Sequence, residues 1–343
     1  MRVSFSKLMN GARLKRMFVQ VTLVTLGVVG AGQSLRAQNG PTEPRCESTT
    51  TAADACNKLF DMFRLISPQI GVALGGGNSM PGENGTLGGP SKYSLALRVS
   101  AIDGIVPKNF DAVSGPAAPS SNLGAQRAPI PMISGDIATG VFQGFAYGLT
   151  NVFGVDLLLG LTYVPSINKD AVKLDPSGLG VKASYGVRLG LLQESAAVPG
   201  VSISYRDRAL PNSAITFASS NDTLRVKGAS VDTRSLRIVA GKHYKFIGVS
   251  GGYGRDQVRA RSLFEAVVHD GASSISSALP AAEYNVTRSN AFASVSLGLP
   301  RAQLVGEIGW SGAGDAHETR NTFDGNNVNA KYRYYTFGLS FRP

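Results

Sequence analysis

Residues 155–164 read V-D-L-L-L-G-L-T-Y-V, and residues 181–191 read V-K-A-S-Y-G-V-R-L-G-L. In both, the odd positions are apolar: Val155, Leu157, Leu159, Leu161 and Tyr163, then Val181, Ala183, Tyr185, Val187, Leu189 and Leu191. The even positions are mostly small or charged. Successive strand side chains point to opposite faces, so a period of two held this long fixes one apolar and one polar face. Strands of soluble domains usually stop at about five or six residues. A strand of about ten, repeated along a chain, is long enough to cross a membrane.

The start of the chain reads as an export signal. Residues 1–37 carry six basic residues and no acidic one, around an apolar core at 17–31. That core has the length of a signal-peptide h-region and is short for a helical anchor. Leu35-Arg36-Ala37 before Gln38 is the cleavage site the sequence offers. Glu43-Pro44-Arg45 before Cys46 does not fit a lipoprotein signal. No later segment has the roughly 20 apolar residues of a membrane helix, so any span must be made of strands. Removing the six signal cations leaves 28 basic against 23 acidic residues, a net charge of +5. This is an ordinary surface balance and gives no nucleic-acid footprint.

The two cysteines, Cys46 and Cys56, follow the signal. In an oxidising compartment a small disulfide loop is expected, and the competing metal site lacks ligands, since His243, His269 and His317 are scattered. Residues 51–66 have helical spacing, with a Thr run before them and Pro68 as the expected stop. A short strand at 70–74 and a glycine-rich segment to 89 come next. Ten strands are then predicted, at 92–102, 133–147, 155–164, 181–191, 201–208, 222–241, 244–261, 283–299, 302–312 and 330–341. Their joints alternate short and long, as periplasmic turns and outer loops do, and leave both ends of the strand run on the short-turn side.

At the chain end, Tyr335, Phe337, Leu339 and Phe341 resemble the C-terminal aromatic-alternating strand that the assembly machinery of Gram-negative outer-membrane barrels reads, with Arg342 and Pro343 added after it. The N-terminal helix and Gly-rich segment also faintly resemble the lumen hatch of the long-chain fatty-acid transporter family. The predicted fold is all-β: a transmembrane antiparallel up-and-down barrel of about 10–12 strands with one N-terminal helix. The domains are 1–37, a signal peptide; 38–90, a disulfide loop, helix and Gly-rich segment acting as a lumen plug or a periplasmic element; and 91–343, the barrel.

Counting even positions as lumenal, Arg98, Lys182, Arg188 and Arg206 face Asp136 and Asp156, and Glu307 joins on its own strand. Buried charges need partners or water, so this set either pairs across the lumen or lines a wet passage. Catalytic motifs are weak. Gly248-Val249-Ser250-Gly251-Gly252 fits G-x-S-x-G but lies in a predicted strand rather than at a strand-to-helix elbow. His317-Glu318 lacks a second His, and the loop at 324–327 reads as a polar turn. No enzyme activity, cofactor or metal is expected. The expected location is the cell outer membrane, and the expected partners are its lipid, the barrel-assembly machinery and a small-molecule solute. The leading functional expectation is a passive channel or transporter for small molecules, hydrophobic ones included. The alternative is a non-conducting structural or surface-binding barrel acting through its long outer loops.

Overall fold

The computed structural model describes residues 45–46, 50–107, 121–169, 172–219, 222–270 and 273–342. The expected signal peptide lies outside the described residues. Ten antiparallel strands close on themselves: β1 (Tyr93–Pro107), β2 (Ala125–Phe142), β3 (Gly154–Tyr163), β4 (Val181–Leu192), β5 (Gly200–Ala209), β6 (Asp222–Tyr244), β7 (Ile247–Asp270), β8 (Ser273–Gly298), β9 (Ala302–Ser311) and β10 (Tyr332–Phe341). Each pairs with its neighbours in sequence, and β10 returns to β1 with Leu97 opposite Leu339 and Val99 opposite Phe337. Among the described residues, closure leaves none of these ten strands at an open edge, the condition for strands to cross a bilayer.

The outside carries the apolar phase of the alternation. Leu95, Leu97 and Val99 on β1, Leu157, Leu159 and Leu161 on β3, and Val295 and Leu297 on β8 are all exposed. Aromatic side chains bound this band. Tyr163, Tyr185, Tyr253, Trp310 and Tyr335 lie toward the long loops, and Phe142, Phe145, Tyr147, Tyr244 and Phe246 lie at the short turns. Apolar surface of this extent ringed by aromatics is stable facing lipid, where amphipathic rings settle at the interface.

Three strands overshoot the others. β6, β7 and β8 have 23, 24 and 26 residues, whereas β3, β5, β9 and β10 have ten each. Ten residues already span a bilayer, so the excess rises beyond it on the long-loop side. There the outer face changes character, with exposed ion pairs Arg259–Glu283 (2.6 Å) and Arg261–Asp232 (3.1 Å). Short strands Ile167–Lys169, Val172–Pro176 and Ser213–Ser219 extend this wall from β6. The predicted loop at 262–282 is therefore mostly the tip of the β7–β8 hairpin.

The helix α1 (Thr51–Gly75) lies inside the barrel, packed on β7, β6, β1 and β8. Its start sits at the long-loop end, where the Asp61 carboxylate accepts hydrogen bonds from the backbone N–H and side-chain amide of Asn321 in the β9–β10 loop. Phe60 and Phe63 stand edge-on to Phe264 of β7 at 5.2 and 5.4 Å between ring centroids. Cys46 and Cys56 form a disulfide. Thr50 caps the helix through its hydroxyl, and Asp54 in the first turn pairs with Lys58 at 2.7 Å.

Contrary to expectation, the helix does not stop at Pro68, and residues 70–74 are helical rather than a strand. A proline removes the N–H that would bond the carbonyl four residues back, which here belongs to Arg64. Tyr284 of β8 reaches in and donates its hydroxyl to that carbonyl at 2.8 Å. The vacant acceptor is satisfied by the wall, so the helix continues to Gly76, whose φ of 56° ends it in the left-handed region.

Candidate functional site: the lumen and the strap that fills it

Residues 76–89 descend from the end of α1 toward the short-turn end without helix or strand. We call this segment the strap. An irregular backbone buried in a barrel carries N–H and C=O groups with no ladder to join, and each must find a partner. The inward charges of the wall provide them. Arginines take the carbonyls: Arg98 donates to Asn78 O (2.9 Å) and Ser79 O (3.1 Å), Arg206 to Ser79 O (2.7 Å), and Arg237 to Gly76 O (3.0 Å) and Gly77 O (3.2 Å). Carboxylates take the amides: Glu307 accepts from Asn78 N (2.9 Å), and Asp156 accepts from Leu87 N at 3.2 and 3.1 Å.

Behind these contacts the charges pair with one another. Asp136 lies against three arginines, Arg98 at 3.1 Å, Arg206 at 2.6 Å and Arg208 at 3.1 Å. Asp156 holds Arg188 at 2.7 Å, and Asp256 holds Arg237 at 2.6 Å. Asn290 bridges Asp256 and Gly76 O, and receives the Tyr334 hydroxyl at 2.8 Å. The surplus positive charge around Asp136 is met by the strap carbonyls. The wall is small where the strap needs room. A Cβ on Gly140 would lie 2.1 Å from Gly89 O, so only glycine admits the strap there.

Six of the seven charged lumen candidates, Arg98, Asp136, Asp156, Arg188, Arg206 and Glu307, are thus buried and tied to this network. Lys182 is a correction. It shares the inward parity of β4, but it lies at the long-loop end opposite Thr162 and is exposed to solvent. Arg208, Arg237, Asp256 and Asn290 were not anticipated. Arg208 closes the predicted fifth strand two residues after Arg206, and the same parity rule applied there finds it.

The motifs with weak catalytic signatures have structural surroundings. Ser250 lies within β7 near its short-turn end, with its hydroxyl 2.6 Å from that of Ser294. The His317 carbonyl accepts from Arg64, and Asp324 accepts from Ala125 N at 2.7 Å. Among the described residues no three metal-ligating side chains converge.

Below the strap a vestibule of about 870 Å³ opens at the short-turn end, lined by Glu83, Asn84, Lys92, Glu194, His243 and Arg342 among others. Glu194, on the turn after β4, accepts from His243 N and lies 2.8 Å from His243 Nδ1, and Asn84 of the strap joins it at 3.3 Å. Partial burial disfavours the Glu194 carboxylate, but the hydrogen bonds and charge of His243 outweigh it and bring its pKa from 4.5 down to about 2. A depressed carboxylate stabilises the fold above its ordinary value and loses that contribution as pH falls toward its folded one. The tie between turn and strap is therefore expected to hold above about pH 4.5 and to weaken as the pH falls from there to about 2. Amide protection of residues 193–198, corrected for intrinsic exchange, should fall as the pH drops across that window in the native chain and stay flat in Glu194→Gln. Equal pH profiles in the two proteins would remove Glu194 from the tie.

No protein-family model matches the chain, and no curated protein matches it. Solved structures similar to it include the outer membrane protease OmpT from Escherichia coli, 12% identical with a TM-score of 0.36, covering 74% of this chain and 97% of that one. The COG4313 outer membrane channel from Pseudomonas putida F1 is 10% identical with a TM-score of 0.30, covering 76% and 99%. The Pseudomonas putida toluene transporter TodX is 9% identical with a TM-score of 0.27, covering 88% and 99%. This chain has the fold of an outer-membrane β-barrel. Closed strands, the lipid-facing band and its aromatic borders carry that assignment; the activities of those three proteins remain theirs.

Proposed function

We propose that the protein resides in the outer membrane as a barrel closed at rest by its own N-terminal segment, and that it acts through its long-loop face. The observation that supports this is the socket itself. Wall charges from β1, β3, β6 and β9 each engage the strap backbone, and a buried charge that loses its partner is costly. The wall raised by β6, β7 and β8 supplies a broad solvent-facing surface above the membrane band. Catalysis is not part of this proposal.

A gated channel is the second reading, and one feature favours it. Six of the fourteen strap residues are glycine, and the strap's ties to the wall charges are polar, so water can replace them if the segment moves. Conductance in planar bilayers separates the two. The refolded mature chain is expected to be silent, while a version lacking residues 38–78 conducts. Stepwise openings of the intact chain would favour gating over permanent closure. Silence of both proteins would show that the wall and the remaining strap residues 79–89 close the lumen without the helix.

A further inference from the structure

We propose that the outer face of β8 and β9 carries a binding site for a phosphate-bearing lipid headgroup in the leaflet on the long-loop side. This rests on the barrel spanning a membrane and is independent of whether the lumen opens.

Four outward-facing residues stand in one row across neighbouring strands: Tyr253 on β7, Ala291 on β8, Trp310 on β9 and Arg333 on β10. Ala291 is small between two large rings, so the row has a notch at its centre. A surface cavity of about 650 Å³ occupies this place, with Ser289 and Ala291 in its lining beside Tyr253 and Trp310. The cations around it are Lys331, Arg333 and Arg127. Arg127 pairs with Asp103, the one carboxylate in that lining, at 2.9 Å. Lys331 and Arg333 have no ion pair among the described residues.

The notch continues downward into the apolar band. Below Ala291, Ala293 faces outward on β8 with Gly251 opposite it on β7, and the next outward residue of β9 after Ile308 is Gly306. Nothing lies within 4 Å of the place a Cβ would take on Gly306. A shallow furrow thus leads from a group of cations at the interface into the lipid-facing surface.

This arrangement fits an amphiphile in one orientation. A free anion has use for the cations alone, and a neutral lipid for the furrow alone. A phosphorylated lipid uses both, its phosphate on Arg333 and Lys331 and an acyl chain along Ala293 and Gly306. Tyr253 and Trp310 border the junction, at the depth where aromatic rings favour the headgroup region. Guanidinium and ammonium groups near a membrane surface attract anionic lipid, and arginine adds paired hydrogen bonds to phosphate oxygens.

Trp310 is the only tryptophan in the chain, so its emission reports on this site directly. The folded barrel in uncharged detergent micelles is titrated with diphosphoryl lipid A, with its dephosphorylated form, and with inorganic phosphate. Lipid A is expected to give a saturable change, the dephosphorylated form one at least about tenfold weaker, and inorganic phosphate none. The double variant Lys331→Gln/Arg333→Gln, checked for folding by heat-modifiable mobility, should bind lipid A at least about tenfold more weakly. Equal titration by both lipids, a response to inorganic phosphate, or unchanged affinity of the variant would each overturn the proposal. If that variant does not fold, Ala291→Phe fills the notch and keeps the cations; it is expected to lose binding, and retained binding would be equally decisive against the site.

Discussion

Replacing Asp136 with alanine is expected to cost the barrel about 3–5 kcal/mol, the largest single-residue loss among the wall charges. Asp136 is 2% exposed and is the only carboxylate within 4 Å of Arg98, Arg206 and Arg208 among the described residues. Removing it leaves three buried guanidinium groups facing one another. Carbonyl oxygens of Asn78, Ser79 and Leu159 remain near two of them, but those are dipoles already in use. Urea unfolding of the refolded chain in lipid vesicles, followed by Trp310 emission, measures the loss. Lys182→Ala is the companion control, because an exposed side chain with no ion pair among the described residues should change stability by less than about 0.5 kcal/mol. A loss below about 1 kcal/mol for Asp136→Ala would mean that the three arginines find other partners. The socket would then not be organised around this carboxylate.

The barrel was legible in the sequence because lipid on one side and a filled lumen on the other impose a strict period of two. Ten strands emerge from that period, and among the described residues ten close the barrel. What escaped the reading has three physical origins. The first is a change of phase. On β7 the apolar residues face outward at Val249 and Tyr253, but inward at Val258, Ala260, Phe264 and Ala266, where Arg259 and Arg261 face outward. The side chains keep alternating; the solvent outside changes from lipid to water, and the pattern inverts. Strands β7 and β8 therefore read as 244–261 and 283–299, short of their raised tips, whereas β6, read over 222–241, is legible almost whole.

The second is local register. A bulge between Lys227 and Ser230, with Gly228 at a φ of 61°, shifts the inward positions of β6 from even to odd. Arg237 is inward for that reason, and a rule of even positions passes over it. The third is distance along the chain. Asn78 meets Glu307 across 229 residues, and Arg64 meets Tyr284 across 220. Neither the strap's seat nor the continuation of α1 through Pro68 leaves a local signature, since both depend on partners that only the closed barrel brings near.

Phe264→Ala is expected to cost about 3–5 kcal/mol, through a different part of the molecule. Phe264 is 2% exposed and packs edge-on against both Phe60 and Phe63, so its ring is the main apolar contact between α1 and the raised wall. It lies in the part of β7 that has left the membrane, and its replacement leaves the lipid-facing band and strand pairing intact. The loss should therefore fall on the helix. Amide exchange of residues 51–75 should quicken while the ten-residue strands β3, β9 and β10 stay protected. Heat-modifiable mobility should persist at room temperature. The strap is held by polar contacts, the helix by apolar packing together with the hydrogen bonds of Asp61, Arg64 and Gln69, and this variant weakens only the packing. If the lumen begins to conduct in Phe264→Ala, the helix is what keeps the strap seated, and the closed state is one side of an equilibrium. If the helix loosens and the bilayer stays silent, the wall charges hold the strap unaided and the closed barrel is the working form.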